Sequence, residues 1–196
     1  AVLRLDKARE RLCHSGYRHG ATESCSTTMK KYNVGIVGYG WVATAHIPAI
    51  NATPLGQVTA ICSSRKLGAA ALSAQYGGRI SVYNDLDEML ANPDIQVVSL
   101  CGFPTQRLGQ VRRAVRAGKH LILEKPLCLS LKELRAMQRA VRKAGVRTCV
   151  CFECRYSNQF QVTKAILDQG LLGQLHYGEV DYYHGIGPWY AQFRWC

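Results

Sequence analysis

Lys125 stands between a buried strand-like run and a proline, in Gly118-Lys119-His120-Leu121-Ile122-Leu123-Glu124-Lys125-Pro126. Pro126 restricts the Lys125 backbone and stops the strand, so the charged pair Glu124 and Lys125 falls at a strand's C-terminal end. Ligands bind along that edge of an open α/β sheet. A lysine held there, with its pKa tuned by its surroundings, exchanges a proton with a substrate hydroxyl. Taken alone it reads equally as an ordinary strand-end lysine. Nearer the start, Gly38-Tyr39-Gly40-Trp41-Val42-Ala43 has the form G-x-G-x-x-A, after a strand-like run and at the opening of a helix-like one. Gly38 allows a tight turn, Gly40 lets backbone N–H groups approach a pyrophosphate, and Ala43 lets the helix lie close to the sheet. Trp41 and Val42 begin that helix, whose N-terminus supplies donors and partial positive charge. The competing explanation is a purely structural turn.

The end of the second strand chooses between dinucleotides. An acidic residue there binds the adenosine ribose hydroxyls and favours NAD. This chain has Cys62-Ser63-Ser64-Arg65-Lys66. Two hydroxyls and two cations suit a ribose 2′-phosphate, so NADP is expected ahead of NAD. Alternatively, Arg65 and Lys66 simply open a solvated helix.

Other groups carry weaker signals. Cys149, Cys151 and Cys154 have ligand-like spacing, but structural zinc uses four ligands, commonly in two close pairs, and no second pair follows; no metal is expected. His46, on the first helix, is expected to pack between helix and sheet. Between Arg107 and Arg147 twelve basic residues stand against two acidic ones. They are expected on the outer, solvated faces of two amphipathic helices, with no interleaved aromatic platform for bases. A nucleic-acid role is therefore a minor alternative, and contact with an acidic face of a partner subunit or further domain a more modest one. The aromatic end (His176, Tyr182, Tyr183, His184, Trp189, Tyr190, Trp195) suits sugar stacking or subunit packing equally.

The elements that must position these groups follow in alternation. NVGIVG, QVTAIC, ISVY, IQVVSLC, HLILE and VRTCVCF read as strands. VATAHIPAI, LGAAALSAQYG, DLDEML, TQRLGQVRRAVRAG and SLKELRAMQRAVRKAG read as helices. Asp85 is an expected N-cap, Ser130 and Glu133 a capping box, and Gly145 a stop. Leu131, Leu134, Met137 and Val141 form the expected inner face. Uniformly apolar strands separated by helices imply a doubly wound parallel sheet covered on both faces. After Phe152 the pattern changes: SNQFQVTKAILDQG reads as a helix and QLHYGEVDYYHG as a strand with one wet face.

Composition bounds the rest. The 196 residues are 47% hydrophobic and 19% charged, with formal net charge +12. This excludes a disordered or collagen-like chain and permits anionic partners without selecting one. The odd count of nine cysteines, several inside apolar runs (Cys62, Cys101, Cys149, Cys151), suits buried reduced thiols and a cytoplasmic location. The uncharged stretch from Tyr32 to Ser64 is too interrupted by Pro48, Asn51, Pro54 and glycines to be a membrane span. The expected organisation is an N-terminal extension (1–28), a dinucleotide-binding domain (29–152) and the start of a second domain (153–196).

GIVGYGWVATAHIPAI, the AGKH…EKP segment, and Arg155-Tyr156 ahead of a helix ending Gly170-Leu171-Leu172-Gly173 occur in order. Together they resemble the Gfo/Idh/MocA family of NAD(P)-dependent oxidoreductases, from about Tyr32 to Trp195. The resemblance implies a Rossmann domain followed by an α/β domain on an open, mostly antiparallel sheet. It implies hydride transfer between a nicotinamide and a hydroxyl-bearing carbon of a sugar, cyclitol or related polyol, and homo-oligomers built through the second domain. Lys125 matches the lysine near the nicotinamide and the reacting hydroxyl. Glu124 matches its neighbour, and Gly38, Gly40 and Trp41 match the pyrophosphate loop, with further cofactor contact at Cys101. Family members carry Thr-Pro-Asn and then His after the fourth strand. Here Cys101-Gly102-Phe103-Pro104-Thr105-Gln106-Arg107 displaces the proline and puts Arg107 where the His is usual. The family's glycine-rich segment with a catalytic Asp or His is expected beyond Cys196. A non-catalytic NADP-binding regulatory protein is the alternative.

Overall fold

The computed structural model describes residues 31–183, 185, 187 and 188. The proposed extension 1–28 and the aromatic residues His184, Trp189, Tyr190 and Trp195 lie outside them. In chain order come β1 (Tyr32–Val37), α1 (Trp41–Asn51), β2 (Gly56–Cys62), α2 (Ala69–Tyr76), β3 (Ser81–Tyr83) and α3 (Leu86–Ala91). They are followed by β4 (Val97–Leu100), α4 (Pro104–Arg116), β5 (His120–Leu123), α5 (Leu131–Ala144), β6 (Thr148–Val150) and α6 (Asn158–Asp168). The six strands form one parallel sheet in the order β3-β2-β1-β4-β5-β6. This is the doubly wound sheet expected from the strand–helix alternation, and its order reverses between β1 and β4.

Side chains alternate across the sheet and build two cores. Ile36, Ile47, Ile61 and Ile80 pack beneath α1 and α2 on one face; Met89, Leu100, Val111, Leu121 and Met137 pack beneath α3, α4 and α5 on the other. Local signals set the helix ends. The Asp85 carboxylate accepts from the Asp87 and Glu88 N–H groups, and Ser130 Oγ from the Glu133 N–H at 3.3 Å. Gly145 ends α5 in the left-handed region at φ 67°.

Four expectations need correction. Leu131 is 69% exposed: it is the first residue of α5, and Met137, Ala140 and Val141 carry the contact, with Leu134 partly covered. Arg107 and Lys119 are buried, not solvated. Each donates to backbone carbonyls at the ends of neighbouring elements: Arg107 to those of Leu100 and Gly102, Lys119 to those of Asn92 and Ile95, both at 2.8 Å. Burial lowers the pKa of both groups. Cys149 is exposed, whereas Cys62 is buried and Cys101 and Cys151 are half-buried; all are free thiols. Finally, residues 174–183 form no strand. Alternation favours extended backbone, but a strand requires a partner to take its N–H and C=O groups, and this segment is exposed throughout.

Candidate cofactor and active site

Two turns meet where the strand order reverses. After β1, Gly38 adopts φ +87°, and a Cβ there would lie 3.0 Å from the Gly102 nitrogen and 3.1 Å from its Cα, in the turn after β4. Only glycine permits that approach. The Gly38 N–H donates to Cys62 O and the Cys101 N–H to Val37 O, both at 2.9 Å, tying the ends of β1, β2 and β4 together. Gly40 caps α1 in extended conformation with no side-chain cap. Nothing in the chain lies within 4 Å of a Cβ placed on it, so internal packing does not require glycine at this position. The first-turn N–H groups of α1 thus have no capping side chain of their own and face a crevice, the arrangement that receives a phosphate.

The crevice encloses about 880 Å³ along the C-terminal edge of the sheet. Gly38, Gly40, Trp41 and Val42 line it on one side, and Ser63, Ser64 and Arg65 at one end. Cys101, Glu124 and Lys125 line it toward β4 and β5. Of the residues expected from the sequence to contact the cofactor, Lys66 is outside the wall; it is exposed.

At the β2 end, Ser63 is 7% exposed, and its hydroxyl accepts from the Arg65 N–H at 3.2 Å, closing a small turn. The Asn84 side chain donates to Ser63 O at 2.8 Å and pins that turn. Ser64 and Arg65 are exposed. The Arg65 guanidinium lies 5.7 Å from the centre of the Tyr39 ring, and the Tyr39 hydroxyl is 2.9 Å from that of Tyr76. A cation over a ring that is itself anchored is held ready beside the glycine turn. Tyr39 was an unspecified position in the glycine motif, and its part became visible only when α2 was in place.

At the β5 end the parallel register aligns Leu100, Leu123 and Val150. The next residues, Cys101, Glu124 and Cys151, therefore leave three neighbouring strands side by side on the face covered by α1. His46 comes down from α1 onto this row: Nδ1 is 2.9 Å from Ser99 Oγ and Nε2 is 2.9 Å from Glu124 Oε1. Contacts with the Cys101 and Cys151 thiols, then with the Glu124 carboxylate, raise the His46 pKa against the opposing effect of burial. Burial pushes the Glu124 carboxyl up, but His46 and the Lys125 N–H outweigh it and the net direction is down. Each partner thus favours the charged form of the other. Expected to pack between helix and sheet, His46 also holds the residue next to Lys125.

The second Glu124 oxygen, Oε2, accepts from the Lys125 N–H at 3.0 Å. The Lys125 side chain is half-exposed, with Nζ 3.1 Å from Glu153 Oε1. The buried Arg107 guanidinium, donating to Leu100 O and Gly102 O, fixes the turn that touches Gly38. That turn is where the sequence departs from the family pattern, with Arg107 in place of the usual His. A pyridine dinucleotide fits this donor set: an uncapped helix N-terminus at the centre, a cation over an aromatic ring at one end, and a lysine and carboxylate at the other.

Comparison with known proteins agrees with the geometry. Residues 32–152 match the model of the Gfo/Idh/MocA oxidoreductase family, NAD-binding Rossmann fold. An uncharacterized oxidoreductase of Synechocystis sp. is 34% identical over 173 residues, covering 85% of this chain and 46% of that protein. Among solved structures, scyllo-inositol dehydrogenase from Lactobacillus casei with bound NAD(H) and scyllo-inositol is similar at TM-score 0.67 and 25% identity, over 74% of this chain and 43% of that one. A mutant 3-ketoreductase from Actinomadura kijaniata in complex with TDP-benzene and NADP is similar at TM-score 0.65 and 27% identity, over 74% and 46%. The chain spans less than half the length of each of these three proteins. With its six parallel strands, its glycine turn at the point of strand reversal and this family match, the chain belongs to the Gfo/Idh/MocA family of NAD-binding Rossmann-fold oxidoreductases.

Proposed function

We propose that this chain is the dinucleotide-binding part of an enzyme that transfers a hydride between a nicotinamide and a secondary alcohol of a sugar, cyclitol or related polyol. The observation that carries the reading is the placement of Glu124 and Lys125 on the wall of the crevice formed by the glycine turn and the uncapped end of α1. When bound, the nicotinamide supplies the hydride acceptor or donor. Lys125 orients the hydroxyl and takes its proton as the carbon–hydrogen bond breaks. Glu124, gripped by His46, fixes the backbone from which Lys125 projects. The first-turn N–H groups of α1 hold the pyrophosphate, and Cys101 borders the nicotinamide end.

Arg65 and Ser64 favour NADP over NAD, because a guanidinium above Tyr39 makes charge-assisted bonds to a 2′-phosphate and β2 does not end in a carboxylate that would bind the ribose hydroxyls instead. Residues 153–196 begin a second domain that carries substrate specificity and the contacts between subunits; beyond Phe152 the described side chains are exposed, apart from the partly covered Ile166 and Gly187. The test is Lys125→Met in the complete polypeptide, assayed over a panel of polyols with NADP and NAD. Turnover should fall by about 10²-fold or more, with cofactor affinity almost unchanged. Undiminished turnover would remove Lys125 from the chemistry. Cofactor binding without turnover of any polyol would support a regulatory protein instead.

A further inference from the structure

The His46 contact has a chemistry of its own. His46, Glu124 and Cys151 each present one ligand-type atom, and the three atoms lie within 4.8 Å of one another. The trio suggested by sequence spacing is not the one the fold assembles: Cys149 and Cys154 are exposed, and only Cys151 joins this group. Parallel register puts Glu124 and Cys151 on adjacent strand ends, and α1 brings the imidazole over them.

Two of the three groups are already oriented from outside, as ligands in metal sites are. Ser99 Oγ occupies His46 Nδ1 at 2.9 Å and leaves Nε2 turned toward the group. The Lys125 N–H occupies Glu124 Oε2 at 3.0 Å and leaves Oε1. We propose that His46 Nε2, Glu124 Oε1 and Cys151 Sγ form a three-ligand site for a zinc-class divalent cation, with water or an oxygen of a bound molecule as the fourth ligand.

One nitrogen, one oxygen and one sulfur suit zinc or cobalt, not magnesium or calcium, which prefer all-oxygen shells. Tetrahedral zinc, with nitrogen and oxygen at about 2.0 Å and sulfur at about 2.3 Å, sets its ligand atoms roughly 3.3–3.6 Å apart. The His46–Glu124 spacing of 2.9 Å must open slightly, and Cys151 must close by an amount on the order of 1 Å, a rotamer-scale adjustment. Binding releases the thiol proton of Cys151 and the proton shared between His46 and Glu124. The carboxylate and thiolate then balance the charge of the ion. The inference does not depend on the dehydrogenase reading.

The reduced, chelator-treated chain is titrated with Co²⁺ and then with Zn²⁺. One equivalent of Co²⁺ should give tetrahedral ligand-field bands with thiolate-to-cobalt charge transfer, and Zn²⁺ should displace it. Cys151→Ser should lose the charge-transfer band and weaken Zn²⁺ binding more than ten-fold. Cys149→Ser and Cys154→Ser should keep both. X-ray absorption of the zinc-loaded, unsubstituted chain gives a reading that no folding defect disturbs: one sulfur and at least one imidazole at the ion. Absence of a charge-transfer band, its survival in Cys151→Ser, its loss in Cys149→Ser or Cys154→Ser, or two or more sulfurs at zinc would overturn the proposal.

Discussion

Arg65 shows how a single side chain divides into what sequence states and what only the fold supplies. Its position at the end of β2, where an acidic residue is absent, is legible from Cys62-Ser63-Ser64-Arg65-Lys66. Its support by the Tyr39 ring is not, because Tyr39 and Arg65 belong to different turns that meet only once β1 and β2 pair. The same holds for His46, whose partner Glu124 lies 78 residues away, and for Ser63, whose hydroxyl closes its own turn. Arg65→Ala is expected to weaken NADPH binding by about 10-fold or more, the worth of one charge-assisted pair, and NADH binding much less. Fluorescence titration with both nucleotides checks this, and equal losses would reject the 2′-phosphate assignment. Glu124→Gln should leave His46 without its carboxylate partner and destabilise the fold by about 3 kcal/mol, in the range for breaking a buried pair. Denaturant unfolding reads that change.

At the scale of elements, strands and helices were legible because their apolar periods are clean. Asp85, Ser130 and Gly145 announced helix ends by the same physics that the structure displays. Three features escaped that logic. Arg107 and Lys119 look like surface cations in the sequence, but each is buried and donates to two backbone carbonyls that the sequence pattern does not indicate. Leu131 fits the apolar stripe of α5 yet, as its first residue, stays exposed while Met137 further along is buried. The alternating segment after Gly173 has strand-like spacing and no strand partner. Gly38→Ala is expected to abolish dinucleotide binding and lower stability, since a Cβ at φ +87° would meet the Gly102 backbone at 3.0 Å. Gly40→Ala should retain stability, because the space beside Gly40 is open, while weakening pyrophosphate binding. Thermal melts paired with nucleotide titration separate the two. Arg107→Met should cost about 1–3 kcal/mol by removing two hydrogen bonds at the end of β4 and the turn that follows, leaving Gly102 O without this donor while Leu100 O keeps the Glu124 N–H.

For the molecule as a whole, sequence, sheet order and family match converge on one architecture, with ligand chemistry at the point of strand reversal. Substrate choice and assembly were least legible, because the chain spans less than half the length of the relatives described above. No helix among the described residues is long and apolar enough to cross a membrane. A ligand that binds only the folded state stabilises it by about 2.7 kcal/mol at a hundred times its dissociation constant. NADPH at that excess should therefore raise the melting midpoint by several degrees. The most direct test is calorimetric titration of the folded chain with NADPH and NADH, alongside the Gly38→Ala variant. The account predicts one saturable site, tighter for NADPH, that vanishes in the variant. No heat with either nucleotide, or the same heat with and without Gly38, would contradict it.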